Sequence, residues 1–134
     1  MSNGFFGNGF DAGSVPPKQD FVALPAGIYN VVCMDAEWKE TKARTGKMLV
    51  LTFEVLDGDK KGRKLFTRLN LENQNATAVS IAQSELSSIC RAIGVLKPTS
   101  EYDLLNRPLK VSVYVDDDGY NGIGNYAAPG AELA

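Results

Sequence analysis

The hydrophobic pattern becomes regular after the turn at Leu24-Pro25-Ala26-Gly27. The run from Ile28 to Trp38 alternates loosely and is rich in β-forming residues, which predicts a first strand. Lys47 to Leu56 alternates strictly and predicts a second strand, whose apolar side holds Leu49, Leu51, Phe53 and Val55. A third strand follows from Arg63 to about Leu71. Two glycines lie in the turn at 57–62, so we expect the second and third strands to form a hairpin.

The period then changes from two to between three and four. Apolar residues recur at that spacing between Asn75 and Gly94, which predicts one amphipathic helix of about five turns. Asn75 or Thr77 can cap its start, and Gly94 suits its end. The elements predicted after it are a short helix, a fourth strand and a short fifth strand, at 101–105, 109–115 and 120–126.

Three strands, a helix and two strands is the element order of an OB-fold, a five-stranded barrel with its helix between strands three and four. Other small β-barrels with one helix share this order. We expect a mainly β OB-fold domain at 25–126, a flexible arm containing Gly, Asn and Phe at 1–24, and a tail at 127–134. Three phenylalanines of the arm can dock on the domain, a second copy or a partner, with a passive leader as the alternative: Phe5, Phe6 and Phe10.

Composition favours one soluble domain, since the 134 residues are 44% hydrophobic and 22% charged. No stretch approaches the roughly 20 apolar residues of a membrane span, and the start lacks a signal-peptide pattern. We therefore expect a soluble intracellular protein with no membrane partner. Cys33 and Cys90 show no metal-ligand spacing and the chain has no histidine, so we expect two buried thiols and no metal or cofactor.

An enzyme is not expected. The chain lacks histidine, the commonest general base, and it has neither a phosphate-cradling loop nor a nucleophile-elbow motif. The run Asp116-Asp117-Asp118 lacks the spaced oxygen ligands of a calcium loop, and we interpret it as a solvated turn.

Charge is unevenly distributed along the chain. The span 39–68 holds nine basic and four acidic residues, a net +5, and the remainder carries -7, so the overall -2 hides a basic region. Such asymmetry indicates a polyanionic partner, although a solvated lysine-rich hairpin has the same composition. A protein that binds single strands needs cations for phosphates and flat rings for bases. The candidate DNA-binding residues are Trp38, Lys39, Lys42, Arg44, Lys47, Lys60, Lys61, Arg63, Lys64, Phe66, Arg68 and Tyr114.

The aromatic candidates differ in how the pattern places them. Trp38 and Phe66 suit either a barrel core or a stacking surface, and Phe53 suits the core. Tyr114 alternates with an apolar row and is expected to be exposed. Tyr120 is a weaker candidate because the neighbouring acidic turn would repel phosphate.

The most specific segments between Phe21 and Val115 are LPAG, TKARTGK, LTFEVLDG, GRKLFTRLNL and ELSSICRAIGV. They resemble a phage protein family long catalogued as a domain of unknown function and regarded as OB-fold single-stranded DNA-binding proteins. The resemblance covers Phe21 to Val115 and implies a location in the cytoplasm of a bacterial host cell. It implies that the family's signature positions are Thr41-Lys42, Thr45-Gly46-Lys47, Gly62-Arg63-Lys64 and Arg68-Leu69-Asn70, with Asn125-Tyr126 the counterpart of a terminal asparagine and tyrosine.

These observations together predict sequence-independent binding of single-stranded DNA in phage replication or recombination. Phage recombination or replication proteins and a second copy of the chain are further candidate partners. One alternative is a protein-interaction module whose groove holds a recombination or host factor, with nucleic acid incidental. Another is RNA binding, although no feature of the sequence reads a 2′-hydroxyl.

Overall fold

The computed structural model describes residues 7, 9, 11–14, 23–41 and 46–133. The predicted order of three strands, a helix and two strands is confirmed. The strands are β1 (Gly27–Glu40), β2 (Gly46–Val55), β3 (Lys64–Asn73), β4 (Pro108–Val115) and β5 (Asn121–Ala127). The helix α1 spans Ala76–Ile93, and short 3-10 helices span Ala12–Ser14 and Glu101–Leu104. Phe5, Phe6 and Phe10 of the predicted arm lie outside the described residues.

The five strands form one antiparallel sheet in the order β3-β2-β1-β4-β5. Among the described residues no backbone ladder joins β3 to β5, so the sheet is open between these two edges. The chain is therefore a mainly β fold with a five-stranded sheet and one helix after the third strand.

The core lies on one face of the sheet, beneath α1. Leu49, Leu51, Phe53 and Val55 of β2 are all buried, as their alternation predicts. The helix packs mainly over β3 and β5 and adds Ala82, Ile89, Cys90 and Ala92 to the same core. It starts at Asn75, whose side chain accepts from the Thr77 and Ala78 N–H groups, and it ends at Gly94 in the left-handed conformation. Both predicted caps are thus confirmed.

Three strands carry an extra residue that interrupts the alternation of faces. In β1 the extra residue is Met34, because Cys33 and Asp35 pair with adjacent residues of β2. In β5 it is Gly124, because Asn125 and Ile123 pair with adjacent residues of β4. A further irregularity in β3 follows Leu69. Each bulge reverses which face of the sheet the later side chains occupy.

A carboxylate on α1 links the two open edges of the sheet. Glu85 Oε2 accepts hydrogen bonds from Thr67 Oγ1 of β3 at 2.8 Å and from the Tyr126 hydroxyl of β5 at 2.6 Å. The Tyr126 ring packs on Phe53 with centroids 6.2 Å apart. Burial, followed by the bond to Glu85, raises the pKa of Tyr126 well above its usual value. We call Glu85, Thr67 and Tyr126 the Glu85 clamp.

The chain enters the domain beside β5. Leu24 is fully buried, and the Asn121 side chain accepts from its N–H at 2.8 Å and donates to its carbonyl at 2.9 Å. This reciprocal pair fixes the start of the domain to the start of β5.

Cys33 and Cys90 are free and buried, as predicted. Burial raises the pKa of the Cys33 thiol to about 11, and it raises that of Cys90 as well. Such thiols behave as small apolar groups and are poor nucleophiles. In the described part of the chain, no helix combines the length and apolar character needed to cross a bilayer.

Candidate nucleic-acid interface

The outward face of β3 carries a row of cationic and aromatic side chains. Lys64, Phe66 and Arg68 alternate with the inward Leu65 and Leu69, which are buried. Phe66, which suited either core or surface in the sequence, is 54% exposed. An exposed phenylalanine on a strand presents a flat apolar face on which a base can stack.

A groove of about 500 Å³ runs between β3 and the β4–β5 turn. Its lining combines two cations, two exposed rings and an acid: Lys64, Leu65, Phe66, Arg68, Asp116, Tyr120 and Asn121. We refer to this space as the groove. The β3 side supplies Phe66 and both cations, and the β4–β5 side supplies Tyr120, which is 58% exposed.

The acidic turn folds its first carboxylate back onto its own backbone. Asp116 Oδ1 accepts from the Asp118 and Tyr120 N–H groups, both at 2.9 Å, and the Asp116 N–H donates to the Tyr120 carbonyl at 2.8 Å. Gly119 supplies the positive φ of 84° that the turn requires. The predicted solvated turn therefore also has a structural role, because these bonds hold Tyr120 at the groove.

Tyr120, a weaker candidate in the sequence, is one of the residues that line the groove. The Asp-x-x-Gly pattern at Asp116–Gly119 was the available signal, because an aspartate that begins a turn bonds backbone N–H groups two and more residues onward. In this pattern the negative charge of Asp116 faces the backbone N–H groups of the turn.

The two cations of the groove differ in their local partners. Lys64 pairs in register with Glu54 of β2, and their charged atoms are 3.7 Å apart. An exposed pair of this kind contributes little stability, so Lys64 can exchange Glu54 for a phosphate at small cost. Arg68 pairs in register with the uncharged Val50. No ion pair recorded among the described residues involves Arg68.

The β2–β3 turn extends the basic surface beyond Lys64. The predicted hairpin is confirmed, with the Val55 N–H bonded to the Arg63 carbonyl at 2.9 Å. Lys61 is exposed, while Lys60 and Arg63 are half-buried. All three lie at the end of β3 where Lys64 stands.

The predicted cations at the β1–β2 connection lie at the other end of the sheet. The ten residues of β2 separate the two ends by roughly 30 Å. Lys39 is exposed, and its Nζ lies 3.9 Å from Glu37 Oε2. Lys47 pairs in register with both Glu40 and Glu72. Lys42 and Arg44 lie outside the described residues.

Trp38 and Phe66 occupy opposite faces of the sheet. The Met34 bulge places Trp38 in register with the buried Leu49, on the core side, where Trp38 is 39% exposed. It lines a separate apolar hollow of about 240 Å³ near the second 3-10 helix, together with Leu71, Leu86, Pro98 and Leu104. Trp38 therefore does not share the groove with Phe66.

Tyr114 has the exposure that its alternation predicts, at 50%. It pairs with Gly122 of β5, and a Cβ atom at that glycine would overlap the tyrosine ring. The ring therefore lies across the outer surface of β5, and it is not among the residues that line the groove.

A comparison with curated proteins finds no match. A family model matches residues 10–131, which include every described element from β1 to β5. The chain therefore belongs to the family described as protein of unknown function (DUF669).

Proposed function

We propose that this protein binds single-stranded DNA without sequence preference, in phage DNA replication or recombination in the bacterial cytoplasm. The observation that carries the proposal is the groove, where Phe66 and Tyr120 are exposed beside Lys64 and Arg68. Cations that follow the phosphates, together with rings on which bases stack, make up the recognition chemistry of single-strand binders. The resemblance to a phage family supports the biological setting.

The arrangement favours unpaired bases over a duplex. A base can stack on Phe66 or Tyr120 only when its face is free, and in duplex DNA both faces are covered by neighbouring base pairs. Duplex readers commonly insert a helix with basic side chains into the major groove. The helix α1 carries a single basic residue, Arg91. Its surface is therefore poorly suited to a phosphate-lined groove.

We propose further that the five-stranded sheet is an OB-fold barrel left open between β3 and β5. Support comes from the strand order, which is that of an OB barrel cut at this position, and from the helix between β3 and β4. OB-folds bind oligonucleotides on the face of strands two and three and in the adjoining loops, including the β4–β5 loop. The groove lies along β3 and the β4–β5 turn, which are part of that surface.

The test is a fluorescence-anisotropy titration of the full chain with labelled oligo-dT, matched duplex and oligo-U at several salt concentrations. We expect tight binding of oligo-dT at low salt, weaker duplex binding, and a steep loss of affinity as salt rises. No binding at low salt, or equal binding of duplex, would refute the proposal. Stronger binding of oligo-U would assign the groove to RNA instead.

A pair of charge-matched variants tests where the DNA lies. Lys64→Ala/Arg68→Ala removes both groove cations, and Lys97→Ala/Arg107→Ala removes the same charge at exposed positions outside the groove lining. We expect the first to lower the salt slope by about 1.4, at roughly 0.7 per phosphate contact on a single strand. The second should retain the wild-type slope. Equal losses in the two variants would show that net charge, rather than the groove, governs binding.

A further inference from the structure

The Glu85 clamp joins the two strands that border the groove. Thr67 stands on β3 between Phe66 and Arg68, and Tyr126 stands on β5, which begins at the groove residue Asn121. We infer that Glu85 is a positioning residue that sets the separation of the two sides of the groove for DNA. This inference rests on the proposed function, because the groove is the surface whose width it controls.

The first step concerns β3. Successive side chains of a strand point to opposite faces, so the outward Phe66 and Arg68 flank a Thr67 that points towards α1. The 2.8 Å bond from Thr67 Oγ1 to Glu85 holds the backbone of this segment. Because Phe66 and Arg68 are the immediate neighbours of Thr67 along β3, a shift of Thr67 moves both.

The second step concerns β5. The extra residue Gly124 turns Tyr126 to the inner face, where its hydroxyl donates to the same Glu85 oxygen at 2.6 Å. Tyr120 directly precedes β5, so the position of this strand also affects the aromatic group on that side of the groove. The short distances are those of bonds to a charged acceptor, which are stronger than neutral ones.

The third step concerns the gap between the strands. Since no ladder joins β3 to β5 among the described residues, backbone pairing does not fix their separation there. One carboxylate oxygen accepting from both strands adds a polar link through α1 to the packing of this helix on β3 and β5. Loss of either donor removes that link on one side of the groove, and the buried side chains of the core remain in place.

Oligo-dT titrations of variants that remove one donor of the Glu85 clamp test this inference. They are made at a temperature where circular dichroism shows every variant folded. Thr67→Val and Tyr126→Phe should each weaken binding about five- to tenfold, a range typical of coupling between packed neighbours. Glu85→Gln keeps an acceptor oxygen and should stay within about twofold of wild type. The matched control, Ser84→Ala, alters the exposed residue beside Glu85 and should bind as wild type.

Two readouts separate positioning from a general loss of structure. The salt slope of Thr67→Val should equal that of wild type, because the same phosphates are contacted. In a Phe66→Ala/Arg68→Ala background, Thr67→Val should change affinity less than about twofold, since both side chains that it positions are gone.

One set of results would refute this inference and leave the proposed function standing. In it, wild type binds oligo-dT and Lys64→Ala/Arg68→Ala is impaired, but folded Thr67→Val and Tyr126→Phe bind within twofold of wild type. A full additional loss when Thr67→Val is introduced into the Phe66→Ala/Arg68→Ala variant would overturn it as well. Absence of binding by the wild-type chain would overturn the proposed function and this inference together.

Discussion

Replacing Tyr126 by phenylalanine removes one donor of the Glu85 clamp and keeps the ring against Phe53. The lost bond is short, partly buried and made to a carboxylate. Hydrogen bonds to charged groups contribute about 1.5–3 kcal/mol to stability, so Tyr126→Phe should lower the free energy of unfolding by that amount at pH 7. Thr67 still donates to Glu85 in this variant, and the carboxylate keeps a partner.

The pH dependence follows from the raised pKa of the Tyr126 hydroxyl. In the unfolded chain this group loses its proton near pH 10, while in the folded chain burial and Glu85 keep it protonated. The stabilisation is therefore complete below pH 10 and declines as the pH rises above it. The decline is up to about 1.4 kcal/mol per pH unit until the folded pKa is reached. The difference between wild type and Tyr126→Phe should narrow accordingly between pH 10 and 11.

Urea denaturation followed by the fluorescence of Trp38, the single tryptophan of the chain, measures both effects. The Cys33 thiol, whose pKa is raised to about 11, also titrates in this range and acts electrostatically on Tyr126, so the two proteins are compared in a Cys33→Ala background. A difference below 0.5 kcal/mol at pH 7, or one that stays constant from pH 7 to 11, would show that the clamp does not stabilise the fold as argued.

Three further predictions rest on single side chains. Phe66→Ala should weaken oligo-dT binding by about 1–3 kcal/mol in anisotropy titrations, with an unchanged melting temperature because the ring is exposed; unchanged affinity would remove the ring from the interface. Asn75→Ala should lower stability by about 1 kcal/mol in urea melts through loss of the α1 cap, and a neutral result would contradict that cap. Cys33 and Cys90 should react with a thiol reagent at pH 8 only as fast as the chain opens, which rapid labelling of the folded protein would disprove.

Local pattern was sufficient for the elements of this fold. The strict alternation of β2 predicted the buried set Leu49, Leu51, Phe53 and Val55, and the wider spacing after Asn75 predicted α1 with both caps. These signals depend on residues a few positions apart, which is the range over which periodicity and capping act. The open edge between β3 and β5 depends on contacts between distant segments and has no local signature.

The face of the sheet on which each aromatic side chain lies could not be predicted, because it depends on bulges. Continued alternation from Cys33 would put Trp38 on the outward face with Phe66, and the extra residue Met34 reverses this. Nothing in a run such as VVCMDAEW marks Met34 as the extra residue, since a bulge of this kind does not require glycine. The basic residues shared this limitation, because the sequence showed their number but not the roughly 30 Å that separates the two ends of β2.

The bulge in β5, by contrast, has a signal in the sequence, because its extra residue is a glycine. Gly122 and Gly124 leave the outer surface of β5 without large side chains, and an isolated glycine in a strand often marks a bulge. If Gly124 is taken as the extra residue of a bulge, the alternation reverses after Ile123 and Tyr126 points inward. Glu85 can then be reached from β5, so the spacing of the groove depends on one backbone irregularity as well as on the carboxylate.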